Sequence, residues 1–398
     1  MQHEPPIACC AVIPARGGSK GIPGKNLKRI AGQPLVAWTI QAAKQARHVQ
    51  RVVVSTDDPA IAEVARAYGA EVVERPVELS HDTASSESAL LHALDQLQSA
   101  EDYRPELLVF LQCTSPLTEP EDIDGAIELL LAEGADSACS AARFHYFLWR
   151  SHAQTGAEGI NHDKRVRLRR QDREPEFLET GAVYVMRVEG FRAARHRFFG
   201  KTVLYETPAE RVCEIDELVD LQLAELRLRE LLRKRSASLL PAKVAALVMD
   251  FDGVLTDNRV LVDQEGRESV SCSRADGMGL ELLRKAGLPL LVLSKEQNPV
   301  VAARCKKLRV RCEQGVEAKL SALLAYCTEL GVAIEDVVYV GNDINDLECL
   351  RAVGCGVAVA DSHPEALRAA KLVLATAGGA GAVRELCDLI LERSEHHD

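Results

Sequence analysis

Two aspartates separated by one residue follow an apolar segment in the middle of the chain. Asp250 and Asp252 come directly after residues 244–249 and directly before Gly253. The apolar run predicts a buried parallel strand, and ligands bind at the carboxyl ends of such strands. Two carboxylates placed together there repel each other unless a cation lies between them. The pair therefore predicts a Mg²⁺ site.

A glycine-rich loop near the N-terminus is the second chemical motif, and it follows the apolar run of residues 7–13. Its glycines let backbone N–H groups approach phosphate oxygens, and Arg16, Lys20 and Lys25 supply cations. It is not a Walker loop, because its glycine spacing is one residue too long and Asn26 replaces the Ser or Thr that would bind Mg²⁺. The loop predicts phosphate binding, with a flexible solvated loop as the alternative.

Two series of alternating strands and helices are available to position these motifs. The first predicts strands at residues 7–13, 51–55, 71–74, 107–112, 137–142 and 181–187, with helices at 33–47, 59–68, 85–98 and 121–133. The second predicts strands at residues 244–249, 290–293, 337–340, 356–359 and 372–374. The alternation predicts an α/β fold with two doubly wound, mostly parallel sheet domains.

The boundary between the two domains is predicted after a long amphipathic helix at residues 217–235. We expect domains at residues 1–235 and 244–398, joined by a linker at residues 236–243. The polar, basic stretch at residues 151–175 has no helical period, so we expect it to run over the surface.

Composition excludes several classes of partner. The formal net charge is −11, and no apolar run approaches the roughly 20 residues of a membrane span, so we expect neither nucleic acid nor a membrane as partner. The N-terminus lacks the pattern of a signal peptide. The 12 cysteines contain no CxxC pair, which is typical of small buried thiols in a reducing cytoplasm.

The first half of the chain resembles the N-acylneuraminate (sialic acid) cytidylyltransferases, which are relatives of the 3-deoxy-octulosonate cytidylyltransferases. The resemblance begins with the sequence IPARGGSKGIPGKN at residues 13–26. Further matches follow in the family's order, at residues 55–58, 75–80, 82–86, 111–117, 169–173, 181–184 and 214–216. Together they cover about residues 8–225, and the order of so many segments makes coincidence a poor explanation.

The resemblance implies a binding site for CTP and for a sugar acid. Its nucleotide-binding residues would be Arg16, Gly17, Ser19, Lys20, Lys25, Asn26, Arg75 and Ser86. The sugar would contact Gln112, Thr114 and Ser115, with Tyr184, Phe198 and Phe199 as walls of its pocket. The implied reaction is attack by the sugar's anomeric hydroxyl on the α-phosphorus of CTP, with loss of pyrophosphate. Arg16, Lys25 and Mg²⁺ would stabilise the charge that develops on the phosphoryl oxygens.

The chain departs from this family's pattern at two positions. The paired metal-binding acids align with Glu214 and Asp216, and Glu214 replaces the usual Asp. We expect these two side chains to project to opposite faces unless the backbone turns, which makes Asp216 the stronger candidate. Leu148 stands where relatives carry a Lys or Arg for the substrate carboxylate, so Arg150 or residues 164–173 would have to replace it, or carboxylate binding is weaker.

The second half resembles the haloacid dehalogenase superfamily, in particular its small-cap 3-deoxy-octulosonate-8-phosphate phosphatase group. This resemblance implies that Asp250 attacks phosphorus, while Asp252 protonates the leaving oxygen and later activates water. It places a phosphate-binding hydroxyl at Ser294 and the lysine that orients the phosphate and the nucleophile at Lys319. Only a β-hairpin at residues 259–271 fits between the first two strand ends, so we expect no large cap.

The metal-binding element of this second half lies at residues 341–346. Asn342 occupies the position that is usually the metal ligand, and Asp343 is the alternative. With Asp250 and Asp252 they form the predicted Mg²⁺ site. Glu296 and Lys307 match positions that help to recognise the sugar in nonulosonate-9-phosphate phosphatases, although exposed helix charges explain them equally well. The resemblance also implies a homotetramer assembled through the C-terminal domain.

The reactions implied for the two halves would be consecutive steps of one synthesis. We expect a bifunctional enzyme that removes phosphate from a nonulosonate 9-phosphate and then forms the CMP-nonulosonate from CTP. One alternative is a monofunctional cytidylyltransferase whose second domain is a non-catalytic tetramerisation module. Another is a cytidylyltransferase and 8-phosphate phosphatase for the eight-carbon octulosonate. The acceptor is N-acetylneuraminate, its deaminated form or another nonulosonic acid.

Overall fold

The computed structural model describes residues 7–18, 21–81 and 83–395. The chain divides into two compact units, Met1–Arg229 and Glu230–Asp398, with the boundary inside one long helix. Both units are α/β, which confirms the predicted fold class. The domain boundaries at residues 235 and 244 stay a prediction, and the helix continues through the first three residues of the predicted linker.

The N-terminal unit contains a seven-stranded sheet with helices on both faces. Its strands are β1 (Cys9–Pro14), β2 (Arg29–Ile30), β3 (Gln33–Pro34), β4 (Arg51–Thr56), β5 (Glu71–Glu74), β6 (Leu107–Leu111), β7 (Ser137–Phe144), β8 (Trp149–His152), β9 (Gly156–Gly159), β10 (Glu176–Arg187) and β11 (Thr202–Glu206). Its helices are α1 (Leu35–Gln45), α2 (Pro59–Ala67), α3 (Ser86–Glu101), α4 (Pro120–Ala132), α5 (Val188–Ala194) and α6 (Leu218–Ser238).

The large sheet has the order β11-β7-β10-β6-β1-β4-β5. Only β10 is antiparallel to its neighbours among the strands described for this sheet. The central strands β1 and β6 are buried along their length because apolar side chains cover both faces. The carboxyl ends of β1, β4, β5 and β6 therefore lie along one edge, and the loops after β1, β5 and β6 carry predicted nucleotide and sugar residues.

The C-terminal unit contains a six-stranded, fully parallel sheet with the order β16-β15-β12-β17-β18-β19. Its strands are β12 (Ala246–Met249), β13 (Thr256–Val262), β14 (Glu268–Cys272), β15 (Leu290–Leu293), β16 (Arg311–Glu313), β17 (Val337–Gly341), β18 (Cys355–Ala358) and β19 (Leu372–Val373). Its helices are α7 (Arg274–Lys285), α8 (Pro299–Leu308), α9 (Lys319–Leu330), α10 (Leu347–Ala352), α11 (Pro364–Ala369) and α12 (Ala382–Glu395).

The strand that carries the paired aspartates lies at the centre of this second sheet. β12 pairs with β15 on one side and β17 on the other, so Ser294, Asp250 and Asn342 follow three neighbouring strand ends. The predicted hairpin is present as β13 and β14, and it takes the place of a large cap. A positive φ of 74° at Gly253 makes the turn between β12 and this hairpin, a conformation that glycine adopts without strain.

The structure differs from the predicted elements in the second part of the N-terminal unit. β10 begins at Glu176, five residues before its predicted start, because its first residues pair with the end of β7 beyond an irregularity in register. The sequence predicted neither α5 nor β11. β11 is an edge strand whose residues alternate between exposed and half-buried positions, so it lacks the apolar run of a central strand. The exposed stretch at residues 151–175 contains β9 of a small hairpin.

The cysteines confirm the expectation from sequence, since all twelve are free thiols and ten are buried. Within residues 7–18, 21–81 and 83–395, none of the helices combines the length and apolar composition that a membrane span requires.

Candidate active sites

The nucleotide loop is held against the ends of β1 and β4. The Gly17 N–H donates to Asp57 Oδ1 at 3.1 Å, and Asn26 Nδ2 donates to the Arg16 carbonyl at 3.0 Å. A Cβ at Gly17 would lie 2.6 Å from Asp58 Oδ2, so only glycine fits this close approach. These contacts fix the backbone on both sides of the loop. Ser19 and Lys20, which the sequence assigned to the nucleotide, lie outside the described residues.

Arg75 is a buried cation whose hydrogen-bonding groups are not satisfied by the protein. Only 8% of the residue is exposed, and within the described part of the chain its Nε and Nη2 atoms have no hydrogen-bond partner. Asp57 Oδ1 lies 4.0 Å from Nη2, close enough for an ion pair but too far for a hydrogen bond. Burial lowers the pKa of Arg75, the Asp57 carboxylate opposes this shift, and the neighbouring Arg16 lowers the pKa further. A buried guanidinium without hydrogen bonds at two of its nitrogens is costly, so this position fits an anion from a ligand.

Lys25 lies against the segment that carries the predicted metal-binding acids of this unit. Its Nζ donates to the Ile215 carbonyl at 2.6 Å and to Asp216 Oδ1 at 3.4 Å. Burial raises the pKa of Glu214, and the charge of Asp216 raises it further. The expectation that Glu214 and Asp216 face opposite ways is wrong. Residues two apart on an extended segment share a face, and here both acids are exposed while Ile215 between them is buried.

This pair of acids fits Mg²⁺ that is shared with phosphate oxygens. Among the described residues, no three His, Cys, Asp or Glu side chains cluster closely enough to hold a metal ion by themselves. Mg²⁺ is commonly bound by one or two carboxylates together with substrate phosphates. Glu214 and Asp216 would supply the protein oxygens, and a cation there would relieve the repulsion that raises the pKa of Glu214.

The predicted sugar-binding residues after β6 form a compact turn. Thr114 Oγ1 donates to Gln112 Oε1 at 3.2 Å, and the Ser115 hydroxyl is buried without a partner. The Ile215 N–H donates to the Thr114 carbonyl at 2.9 Å, which joins this turn to the segment with the metal-binding acids. The structure therefore brings the predicted sugar and metal residues of this unit together.

Tyr184 lies in the core behind the predicted sugar site. It is only 2% exposed, its ring stacks on Phe110 at 5.2 Å, and its hydroxyl donates to Glu179. Phe198 packs edge-on against Tyr184 at 6.0 Å, and Phe199 is partly buried against the same core. The role of these three aromatic residues as pocket walls stays a prediction. Ser86 begins α3.

Most of the cations proposed to replace the missing lysine near Leu148 interact with nearby side chains. Arg150 lies 3.6 Å from a glutamate, and three arginines of residues 164–173 are paired with nearby carboxylates. The pairs are Arg150–Glu158, Arg165–Asp163, Arg169–Asp172 and Arg173–Glu176. Arg167 instead stacks over the Phe147 ring at 4.5 Å. These interactions hold the surface stretch together.

In the C-terminal unit, the predicted nucleophile is held by two elements. Asp250 is 5% exposed, and its N–H donates to the Val340 carbonyl at 2.9 Å. Lys319, the first residue of α9, places Nζ 2.7 Å from Asp250 Oδ2 and 2.8 Å from Asp346 Oδ1. The structure thus brings together three residues that lie far apart in the sequence, as the resemblance implied.

Asp346 organises the loop after β17. Its Oδ1 accepts hydrogen bonds from Lys319 and from the Tyr339 hydroxyl at 2.6 Å, and its Oδ2 accepts from the N–H groups of Asn342 and Asp343. Four donors satisfy the hydrogen-bonding capacity of this fully buried carboxylate. Asp346 therefore positions both Lys319 and the loop that contains the predicted metal ligand.

Asn342 and Asp343 have different environments in the structure. Asp343 Oδ1 accepts from the Ile344 N–H at 2.7 Å and caps the short 3-10 turn Ile344–Asp346. Asn342 is buried and its Oδ1 has no hydrogen-bond partner, while its Nδ2 side lies against Gly253, where a Cβ would be only 1.9 Å away. An unsatisfied buried oxygen at the strand end beside Asp250 fits a metal ligand. Asn342 and Asp250 would thus hold Mg²⁺, which would shield the charges of nucleophile and phosphate.

The electrostatics of this unit favour a cation. Burial and the charge of Asp346 raise the pKa of Asp250, Lys319 opposes both effects, and the resulting pKa is about 7. Burial lowers the pKa of Lys319, but the two carboxylates outweigh burial and its pKa is raised. Burial and the nearby Glu296 carboxylate raise the pKa of Asp252, which suits a residue that donates a proton to a leaving group. Asp252 is the fourth of the predicted metal residues in this unit.

The remaining predicted residues of this unit lie at two places. Ser294 is buried at the end of β15, where its Oγ accepts from the Glu296 N–H at 3.1 Å. Lys307 instead lines a groove of about 460 Å³ between α7 and α8. The groove is also lined by Arg274, Gly277, Met278, Glu281, Arg284, Arg304, Leu308 and Arg309, and the residues that line it include neither Asp250 nor Ser294.

Three features of these sites were missed in the sequence. Tyr339 looks like an ordinary core residue of β17, although a polar ring inside an apolar strand is a signal for a buried hydrogen bond. Asp57 belongs to a matched segment, but its bond to Gly17 joins residues 40 positions apart. The ion pair of Glu87 and Arg197, at 2.7 Å, lies beside Tyr184 and joins residues 110 positions apart.

Comparisons with known proteins agree with this division. A family profile described as cytidylyltransferase matches residues 10–220, and one described as haloacid dehalogenase-like hydrolase matches residues 314–386. The N-acylneuraminate cytidylyltransferase of Oncorhynchus mykiss is 35% identical over 393 residues, which cover 96% of this chain and 88% of that protein. The 3-deoxy-D-manno-octulosonate 8-phosphate phosphatase of Salmonella typhi is 36% identical over 149 residues, covering 37% and 79% respectively.

Among solved structures, a 3-deoxy-D-manno-octulosonate 8-phosphate phosphatase from Moraxella catarrhalis, in complex with magnesium, phosphate and KDO, is similar to part of the chain. It is 30% identical, and the match covers 42% of this chain and 94% of that chain with a TM-score of 0.39.

Proposed function

The chain belongs to the N-acylneuraminate cytidylyltransferase family, and we propose that it couples two reactions in the synthesis of a CMP-nonulosonate. The N-terminal unit transfers CMP from CTP to a nonulosonic acid and releases pyrophosphate. The C-terminal unit, which is similar to 3-deoxy-octulosonate 8-phosphate phosphatases, removes phosphate from a nonulosonate 9-phosphate. The acceptor of the first reaction is then the product of the second.

The buried guanidinium of Arg75, which has no hydrogen bonds at Nε and Nη2 within the described residues, is the observation that carries the cytidylyltransferase proposal. It lies beside the glycine loop, where a nucleotide phosphate would satisfy its Nε and Nη2 atoms. Arg16 and Lys25 supply further positive charge at the same edge, and Mg²⁺, when bound, would neutralise phosphate charge there. The anomeric hydroxyl of the sugar acid then attacks the α-phosphorus of CTP, and no side chain becomes a covalent nucleophile.

The cytidylyltransferase proposal is tested with CTP labelled in the α-phosphate. We expect label to move into a CMP-sugar, with one pyrophosphate released per product, when Mg²⁺ and a nonulosonic acid are both present. A panel of acceptors that includes the eight-carbon octulosonate would identify the preferred acid. Absence of product with every acceptor would overturn the proposal.

The phosphatase proposal rests on the buried ion pair between Asp250 and Lys319. The carboxylate attacks the phosphorus of the sugar phosphate, the phosphorus–oxygen bond to the sugar breaks, and Asp252 gives its proton to the leaving oxygen. Water activated by Asp252 then hydrolyses the acyl phosphate and restores Asp250. Ser294, at the neighbouring strand end, and Lys319 supply donors for the phosphate oxygens.

A rival role for the C-terminal unit is a non-catalytic assembly module. The neutral Asn342 at the predicted metal position favours this alternative. Phosphate release from a nonulosonate 9-phosphate by the wild type and by Asp250→Asn separates the two roles. Catalysis predicts release that depends on Asp250, whereas the module predicts equal background release from both proteins.

The β13–β14 hairpin supports assembly through the C-terminal unit in either case. Val260, Leu261 and Val262 are exposed on one strand, with Leu261 76% exposed. Such a continuous apolar segment is typical of a protein interface. We propose a homotetramer, and light scattering of the wild type and of Leu261→Lys would test it. The free thiols support a reducing, cytoplasmic location.

A further inference from the structure

Arg197 lies over an aromatic platform in the N-terminal unit. Its guanidinium carbon is 4.9 Å from the centre of the Phe110 ring and 4.7 Å from that of Tyr184, and these two rings stack on each other. The side chain of Arg197 is 18% exposed, so it covers the platform and retains access to solvent. Since Tyr184 is itself almost completely buried, Arg197 forms the outer layer at this position.

Glu87 fixes the orientation of this guanidinium. Arg197 Nε donates to Glu87 Oε1 at 2.7 Å, and Glu87 lies in the first turn of α3. Burial raises the pKa of Glu87, but the hydrogen bond from Arg197 outweighs burial and lowers it, so the acid stays charged. A guanidinium carries five N–H donors, and the bond to Glu87 occupies the Nε donor. The guanidinium also interacts with the Tyr184 hydroxyl, and its remaining N–H donors are of the kind that binds a carboxylate.

Arg197 contacts residues that lie next to, or belong to, the predicted substrate-binding residues. Phe110, beneath the guanidinium, lies on β6, which ends directly before the turn that contains Gln112 and Ser115. Glu87 directly follows Ser86. The cation thus lies over Tyr184, a predicted wall of the sugar pocket, and is paired with a residue in the first turn of α3.

A sugar acid needs such a cation. Leu148 has no charge, and Arg150, Arg165, Arg169 and Arg173 are each paired with a nearby carboxylate. Arg197 combines partial burial, a fixed orientation and contact with Tyr184, a predicted wall of the sugar pocket. Partial burial strengthens a charge-assisted hydrogen bond because water screens it less.

We propose that Arg197 binds the carboxylate of the sugar acid and that Glu87 positions it for this task. This inference rests on the proposed cytidylyl transfer, and it assigns a specificity-determining residue to that reaction. It explains how a chain with Leu148 selects an acid over a neutral sugar. Arg197 is a substrate-binding residue, and Glu87 acts through it.

The test compares binding of the sugar acid and of its C1-carboxamide by the wild type and by Arg197→Gln. Affinities are measured as competition against turnover of the acid, with pyrophosphate release as the signal. The wild type should prefer the acid by about 10- to 100-fold, the range expected for hydrogen bonds between charged groups. In Arg197→Gln this preference should fall to within about threefold, while the KM for CTP stays within about twofold.

Three further variants separate binding from folding. Arg197→Lys should recover part of the preference for the acid, because it retains the charge without the fork. Arg197→Gln alone leaves the partly buried carboxylate of Glu87 without its cation, which could weaken the fold. The double variant Arg197→Gln with Glu87→Gln removes both charges and avoids this cost. Arg192→Gln is the matched control, since Arg192 of α5 pairs with another acid of α3, Asp95, at 2.5 Å.

A preference for the acid that is unchanged in both Arg197→Gln proteins would overturn the inference while leaving the proposed function intact. A loss of affinity that is equal for acid and amide would overturn it as well, because that result indicates a structural role. If the wild type releases no pyrophosphate with any acid, the proposed function fails first and this inference falls with it.

Discussion

Lys319 Nζ lies 2.7 Å from Asp250 Oδ2, and both side chains are buried. The same ammonium group lies 2.8 Å from Asp346, so one cation balances two carboxylates in the C-terminal unit. Tyr339 and the loop N–H groups complete the environment of Asp346. The net negative charge that remains, together with the unpartnered oxygen of Asn342, is what a divalent cation would neutralise.

Removal of Lys319 should abolish the phosphatase and weaken the fold. Lys319→Met leaves Asp250 and Asp346 buried without their cation, which costs about 3–5 kcal/mol of unfolding free energy. Phosphate release should fall at least about 100-fold, the cost of losing one donor to the developing charge. Urea unfolding and phosphate release measure the two effects. Lys295→Met is the control, because the exposed Lys295–Glu317 pair contributes less than about 1 kcal/mol. Similar losses in both variants would contradict this account.

The raised pKa of Asp250 predicts that Asp250→Asn stabilises the protein in EDTA. The folded-state pKa of about 7 lies above the ordinary aspartate value of 3.8, so the folded protein binds more protons than the unfolded chain between these pH values. Wild-type stability therefore falls as the pH rises from about 4 to about 7 and levels off above that range. The neutral side chain in Asp250→Asn removes this pH-dependent loss of stability. Lys319 does not become unpaired in the variant, because Asp346 remains its partner.

The advantage of Asp250→Asn should accordingly grow with pH and exceed about 1 kcal/mol at pH 8. Chemical unfolding at several pH values measures it. An advantage that is largest near pH 4, or a destabilised variant at pH 8, would be the opposite of the expected result.

Asn342→Asp should strengthen Mg²⁺ binding, because it adds a charged oxygen where the structure has an unsatisfied neutral one. We expect the Mg²⁺ concentration for half-maximal phosphatase activity to fall about tenfold or more. Asp343→Asn is the matched control, since Asp343 caps its own turn and should leave the Mg²⁺ dependence unchanged. If Asp343→Asn instead raises the Mg²⁺ requirement and Asn342→Asp has no effect, Asp343 is the metal ligand.

Arg75→Met should stabilise the ligand-free protein and weaken its cytidylyltransferase activity. The change removes a buried guanidinium without hydrogen-bond partners at two of its nitrogens, so the ligand-free protein should gain about 1 kcal/mol or more. The KM for CTP should rise about 100-fold, because two charge-assisted hydrogen bonds to phosphate are lost. Thermal unfolding and steady-state kinetics measure the pair of effects. Arg66→Met, on the exposed face of α2, is the control; a loss of stability in Arg75→Met would show that its partners lie within the protein.

The strand ends of both sites could be predicted from the sequence, because parallel strands place their carboxyl ends at one edge of a sheet. Asp250, Ser294 and Asn342 are examples, since each comes after an apolar run that can be recognised as a buried strand from the sequence alone. Interactions between side chains from distant segments could not be predicted in this way. The pairing of Arg197 with Glu87 and the different environments of Asn342 and Asp343 depend on side-chain packing, which the spacing of residues does not specify.

The edge strand β11 and the early start of β10 in the N-terminal sheet could not be predicted from the sequence either. β11 pairs with β7 on only one side, so its residues show no long apolar run. The early start of β10 depends on an irregularity in its register with β7, which leaves no mark on the hydrophobic pattern.

Mass spectrometry of products from CTP, Mg²⁺ and a nonulosonate 9-phosphate tests the coupled reaction most directly. The wild type should convert the 9-phosphate into the CMP-nonulosonate without phosphate on the sugar. Asp250→Asn should form that product from the free nonulosonic acid but not from its 9-phosphate. Equal formation from the 9-phosphate by both proteins, or no product from the free acid by the wild type, would contradict the account.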